Sequence, residues 1–240
     1  FSVLIILRGQ AMQPQFQTIQ TAGTASAGQN RVLRNTYMML AASMVPTLLG
    51  AVVGIQMNFS FMAGSPFIAF ALFMGIAWGF MWAIEKNKNS GLGVALLLGF
   101  TFFMGLMLSR ILQVALGFSN GGSLIAMAAG GTAVTFFTLA SIASTTKRDF
   151  SNMGSFLMIG MIVILLAIVA NIFLQMPGLH LAISAAIVLI SAAWMLYDIQ
   201  RIVRGGETNY VSASLSVYLN LYNMFVSLLN LLMALTGQRE

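Results

Sequence analysis

Seven long apolar runs constrain this chain more than any other feature. They lie at roughly 36–56, 66–84, 91–116, 123–144, 153–174, 180–203 and 210–235. A bilayer's hydrocarbon core, about 30 Å thick, is crossed by a helix of about 20 apolar residues. Each run has that length, and short linkers join them. Backbone polar groups find no water in lipid, so every run must satisfy its own hydrogen bonds, which makes each a helix. The expectation is an all-α polytopic membrane protein, with seven transmembrane helices in one bundle spanning residues 31–240.

Charge supports this reading. Charged residues make up 7% of the chain, against about 25% in a typical soluble domain. Eleven Lys and Arg stand against five Asp and Glu. In a soluble protein that excess would raise nucleic acid as a partner. Here the basic residues fall in alternate loops. Arg31 and Arg34 precede the first run, Lys86 and Lys88 follow the second, Lys147 and Arg148 the fourth, and Arg201 and Arg204 the sixth. The other loops, 57–65, 117–122 and 175–179, carry no Lys or Arg. This positive-inside pattern puts the N-terminus in the cytoplasm and, after seven spans, the C-terminus outside. The lipid bilayer is the expected partner, and no nucleic acid is expected. The chain has no cysteine, which excludes disulfides and thiol chemistry.

The polar stretch before the first run, residues 1–30, reads as a disordered cytoplasmic tail rich in Gln, Thr, Ala and Gly. Within it "FSVLIILRGQA" is too short to span and lacks the basic start of a signal peptide. Residues 1–11 therefore read as a non-native extension, with Met12 as the natural start. Gly50/Gly54 and Gly75/Gly79 form GxxxG pairs, and "AMAAGGTA" (126–133) is a run of small residues. Such faces let helices approach closely, within one chain or across a dimer.

Asp198 is the residue that composition does not explain. It stands about five residues from the inner end of the sixth run, so about 8 Å deep at 1.5 Å per residue. Two arrangements are open. The carboxylate pairs with Arg201 or Arg204, one to two turns away, or it faces the bundle, where intramembrane carboxylates line ion paths. Asn220 lies about ten residues into the seventh run, which returns from the same loop. Two carboxylates at these positions would share a proton. An Asp and an Asn instead make one hydrogen bond, with Asn donating.

Several strings resemble the Bax inhibitor-1 family, and within it most of all the bacterial YccA branch. They are "RVLRNTY" (31–37), the stretch from "AMAAGGTAV" to "FLMIGMIV" (126–163), "VANIFLQMPGLHLAIS" (169–184), "LYDIQRIVRGGETNY" (196–210) and "YLNLYNMFVSLL" (218–229). The likeness runs from about Arg31 to Leu235. The resemblance implies six helices around a central one, and a regulator of stress responses and calcium leak in a bacterial inner membrane. Some members are pH-sensitive calcium leak channels gated by an Asp pair on helices 6 and 7. Members of the YccA branch are substrates and modulators of the membrane protease FtsH. Asp198 matches the helix 6 aspartate, while the helix 7 aspartate falls at Asn220, so the pair is broken. The leak channels also carry a basic latch in helix 2, and 66–84 holds no Arg or Lys. Two of three gate elements are thus missing. One carboxylate is a thin ligand set for Ca²⁺, which takes six to eight oxygens. The FtsH reading therefore leads, and a leak gated by Asp198 is the alternative.

"GGETNY" is expected to be a turn beneath Asp198. Its glycines would end the sixth helix, Thr208 or Asn209 would cap the seventh, and Glu207 would pair with Arg201 or Arg204. Arg110, where many YccA-like sequences have Gly-Pro, either snorkels at the outer interface or lines a pore. "GFSNG" (117–121) matches G-x-S-x-G, with His180 on the same side. A nucleophile elbow needs a strand-to-helix turn, whereas this motif joins two spanning helices, so Ser119 and His180 are expected to be structural. "EKNKNS" (85–90) and "TTKRDFSN" (145–152) read as solvated loops. No Walker, zinc or dinucleotide pattern appears. The expectation is a non-enzyme without a cofactor, with Ca²⁺ entering only as a transported ion.

Overall fold

The computed structural model describes residues 13–57 and 65–237, with side chains from residue 28 onward. Seven helices follow in order: α1 (Gln13–Gln56), α2 (Pro66–Asn87), α3 (Gly91–Leu116), α4 (Gly121–Thr145), α5 (Met153–Leu174), α6 (Pro177–Val203) and α7 (Tyr210–Gly237). All seven are long and apolar enough to cross a membrane, α1 through its portion Gly28–Gln56. The expected spans hold within a few residues, because apolar length sets them and Pro and Gly mark their edges. Pro66 and Pro177 open α2 and α6, where a missing N–H costs nothing.

The tail differs from expectation. Helical backbone continues from Gln13 into the span, so residues 13–30 are not the disordered segment that composition suggests. Gln, Thr and Ala are compatible with helix, and a formed span supplies the costly nucleus for further turns. The reading of residues 1–11 as an extension before Met12 lies outside the described residues, as does most of the 57–65 loop.

α7 is the central element. It packs against α1, α2, α3, α4 and α6. Val211, Val217, Tyr218, Met224 and Leu229 are at most 1% exposed. α5 does not touch it, and packs on α6 and α2 instead. α5 is also the most apolar span, with a mean hydropathy of 2.9 over its best window. Leu157 and Ile164 are its buried residues, and Phe156, Ile159, Val163 and Leu166 face outward. A helix that lipid solvates on nearly every side needs no polar face, which explains its composition.

The closest helix pair is α1 with α3. A Cβ built on Gly50 would stand 2.2 Å from the Phe102 carbonyl oxygen, and one on Gly105 would stand 2.1 Å from that of Thr47. Gly54 meets Ser109 in the same seam. The Gly50/Gly54 pair is therefore intramolecular packing of the small-residue kind. Gly75 and Gly79 have nothing within 4 Å of such a Cβ, so the same motif on α2 packs on no neighbour among the described residues. In the 126–133 stretch Ala128 is fully buried, Gly131 faces Leu228 at 3.5 Å and Gly130 is open.

Candidate functional site at the basic end of the bundle

α6 brings Asp198 to its buried face with Met195, Ile199 and Ile202. The carboxylate is 9% exposed. Asn220 on α7 is 6% exposed and donates from Nδ2 to Asp198 Oδ2 at 2.9 Å. Of the two arrangements open from sequence, Asp198 thus takes the one facing the bundle. A buried carboxyl group is costly without partners, and a hydrogen bond offsets part of that cost.

The arginines expected as alternative partners are engaged elsewhere. Arg201 pairs with Glu207 at 3.3 Å and also donates to the Gly206 carbonyl at 3.3 Å. Arg204 pairs with Asp149 at 3.1 Å and reaches the Lys147 carbonyl at 3.2 Å. Both arginines leave α6 just as its chain turns. Gly205 adopts φ +77°, Gly206 N–H donates to Arg201 O at 2.8 Å, and Gly205 N–H to Ile202 O at 3.1 Å. Those two bonds form a Schellman motif. It satisfies the last carbonyls and throws Glu207 back beside Arg201. The expected Glu207 pairing is present, with Arg201 as its partner.

Asn209, one of two expected caps, is the one that caps α7. Its Oδ1 accepts from Val211 N–H at 2.9 Å and Ser212 N–H at 3.2 Å. Its Nδ2 donates to the Lys88 carbonyl at 3.1 Å and to Asn89 Oδ1 at 2.8 Å. Ser212 donates to Glu85 at 2.7 Å, and Glu85 pairs with Lys88. The α2–α3 and α6–α7 turns are thereby tied together beneath the Asp198–Asn220 pair.

Gln200 was not foreseen as a site residue. It is 2% exposed. Its Nε2 donates to the Arg148 carbonyl at 2.8 Å and its Oε1 accepts from Phe150 N–H at 2.7 Å. The 146–150 segment, expected as a solvated loop, is therefore bound to α6 through its backbone. An irregular segment leaves peptide groups unpaired, and one amide side chain can serve both a C=O and an N–H. Asp149 adds the ion pair to Arg204, and its carboxyl is held below the usual range by hydrogen bonds from Ser151. The signal in the sequence was a Gln inside an apolar helix two residues from the aspartate.

A second feature lies one level further in. Ser191 Oγ and Trp194 Nε1 are buried without a hydrogen-bond partner among the described residues. Ser191 is seven residues from Asp198, two turns along the same face, about 10 Å toward the bundle middle. The antiparallel register set by Asp198 and Asn220 brings Ser227, 3% exposed, to the level of Ser191. The α6–α7 seam therefore carries polar groups at two successive levels.

The remaining candidates stand apart. Arg110 is exposed on α3, six residues from its end at Leu116. Ser119 sits in the turn between α3 and α4, whose flanks are Gly117 and Asn120, and no strand leads into it. His180 is exposed in the first turn of α6.

These features define a class: a membrane-spanning bundle of seven helices, five of them packed on the last where six were expected, with a buried carboxylate–amide pair near the basic end. The family model described as "Inhibitor of apoptosis-promoting Bax1" matches residues 29–237, and the chain belongs to that family. It is 41% identical over 209 residues to the Escherichia coli K12 protein named "Modulator of FtsH protease YccA", covering 87% of this chain and 92% of that one. The counterpart from E. coli strain CFT073, matching equally well, is named an inner membrane protein. An uncharacterized protein of Neisseria meningitidis serogroup A is 40% identical over 91% of this chain and 96% of its own length. The resemblance noted from sequence is thus confirmed at the level of family and fold.

Proposed function

We propose that this chain is an inner-membrane regulator that binds an FtsH-type membrane protease and restrains its proteolysis of membrane substrates. The observation that carries the reading is the 41% identity to a protein named as a modulator of FtsH, across 92% of that protein's length. The alternate basic loops orient the chain with its N-terminus in the cytoplasm and its C-terminus outside. In that orientation α1 extends from Gly28 back to Gln13 beyond the span, about 22 Å of helix at 1.5 Å per residue. Such a projection offers a protease a handle outside the bilayer. The role is regulatory and not enzymatic.

The test is co-purification of FtsH with the tagged full chain, together with the half-life of an FtsH membrane substrate. Expression of the chain should lengthen that half-life, and deletion of residues 13–27 should remove both effects. If the protease neither co-purifies nor changes its rate, the reading fails.

A second reading, a cation leak gated by Asp198, draws support from the buried Asp198–Asn220 pair and the unpartnered Ser191 on the same face. Calcium efflux from proteoliposomes, from acidic to mildly alkaline pH, decides it. Flux whose pH response changes in Asp198→Asn supports a leak. Silence of the wild type at every pH removes calcium conduction, and flux gained only in Asn220→Asp assigns the loss to that position.

A further inference from the structure

α1 and α4 both lean on α7 without packing on each other along their backbones. The space between them is a groove of about 530 Å³, walled by Met44 and Leu48 of α1 and Ala133 and Phe137 of α4, with Tyr218 and Phe225 of α7 as its floor. Tyr37 and Phe136 close its basic end edge to face, with centroids 5.7 Å apart.

Four of the hydroxyls along the groove are already satisfied. Thr47 and Tyr218 bond to each other at 2.9 Å, Tyr222 donates to the Met104 carbonyl at 3.2 Å, and Thr132 donates to that of Ala128 at 2.8 Å. Beyond Tyr37 an occupant is therefore offered apolar contact and no hydrogen bond. From Tyr37 to Leu48 the groove follows eleven residues of α1, about 16 Å. That is about half the hydrocarbon thickness of a bilayer. A volume of about 530 Å³ spread over that length makes an elongated apolar space open along one side. The groove has the length of one leaflet and the apolar lining that a lipid tail takes.

Charge at the mouth specifies the headgroup. Positions 34, 37, 41, 44 and 48 follow the helical alternation of three and four, so Arg34 continues the α1 wall toward the basic end. Positions 133, 137, 140 and 144 carry the α4 wall to the helix end at Thr145, and Lys147 follows two residues later in the irregular segment at the same end. Arg34 and Lys147 are both exposed. The described acidic residues are committed elsewhere: Glu85 to Lys88, Glu207 to Arg201, Asp149 to Arg204, and Asp198 to Asn220. Among the described residues Arg34 and Lys147 make no ion pair. Uncompensated cations at headgroup level, over a groove of acyl-chain length, select an anionic phospholipid.

We propose that the α1–α4 groove seats an acyl chain of an anionic phospholipid from the leaflet at the basic end, with its phosphate held at the mouth by Arg34 and Lys147. The test uses the full chain in vesicles of mixed phosphatidylglycerol and phosphatidylethanolamine, followed by extraction and native mass spectrometry. The wild type should retain phosphatidylglycerol in preference. Arg34→Gln with Lys147→Gln should lose about thirtyfold of that preference, at the usual attraction of about 1 kcal/mol per basic residue. Ala133→Trp, which fills the groove, should lose the retained lipid. A photo-crosslinker at position 133 gives an independent measurement in a chain with its charges intact, and should yield a phospholipid adduct. Equal retention of both lipids by the wild type, or a polypeptide adduct from position 133, overturns the proposal.

Discussion

Gly105→Ala tests the close approach of α1 and α3. The added Cβ would stand 2.1 Å from the Thr47 carbonyl oxygen and 3.0 Å from Ala51 N, both backbone atoms that no rotamer change can move. Close C···O contacts in proteins run at about 3.3–3.6 Å, so α1 and α3 must part by about 1.2 Å. A gap of 0.5–1 Å already forfeits about a quarter to a half of each dispersion contact. Overpacking of this kind costs about 1–3 kcal/mol, occasionally more. The lost contacts across the α1–α3 seam put this site at about 2–4 kcal/mol. Alanine returns up to about 1 kcal/mol through helix propensity, leaving a net loss of about 1–3 kcal/mol. Gly75→Ala is the matched control, because nothing lies within 4 Å of its Cβ. It should be neutral or slightly stabilising. Unfolding of both variants in one detergent measures the difference. If Gly105→Ala is as stable as Gly75→Ala, the glycine seam does not hold these helices together and the reasoning is wrong.

Three further outcomes follow from the basic end. Gln200→Ala removes the acceptor of Phe150 N–H and one of the donors to Arg148 O, at about 2 kcal/mol. The bound state of the 146–152 segment should then open about 30-fold more often, read as faster tryptic cleavage after Lys147 or Arg148. Asn220→Leu strips Asp198 of its donor and should lower stability by about 1.5–3 kcal/mol. Asp198→Leu with Asn220→Leu should recover most of it, since apolar replacement of a whole buried polar pair is close to neutral; a double variant no better than the single would refute the pairing. Asp149 has its carboxyl lowered by Ser151, so its contribution is present above the ordinary carboxylate range and lost as pH falls through the lowered value. Amide exchange of 146–152 should therefore differ between wild type and Asp149→Asn at neutral pH, and converge in acid.

The sequence by itself determined the number of helices, their order and nearly all of their ends. Those follow from apolar length and from Pro and Gly at the boundaries, which act locally along the chain. It also placed Asp198 and Asn220 together, because one short turn returns α7 beside α6 and leaves little freedom in register. It could not tell whether Asp198 would turn to Arg201, Arg204 or the bundle, since all three lie within reach along the helix. Tertiary structure decided that by giving each arginine another acid, one of them Asp149 from a loop about fifty residues away in sequence. Gln200 escaped notice for the same reason: its partners are backbone groups of a distant turn, and backbone carries no sequence signature. Likewise GxxxG reads the same at Gly50/Gly54 and Gly75/Gly79. Only the arrangement of helices put a carbonyl against the first pair and left open space beside the second. Local chemistry specified which segments cross the membrane. Which faces meet is settled by all seven helices packing at once, and the buried pair, the tied loops and the α1–α4 groove arise at that level.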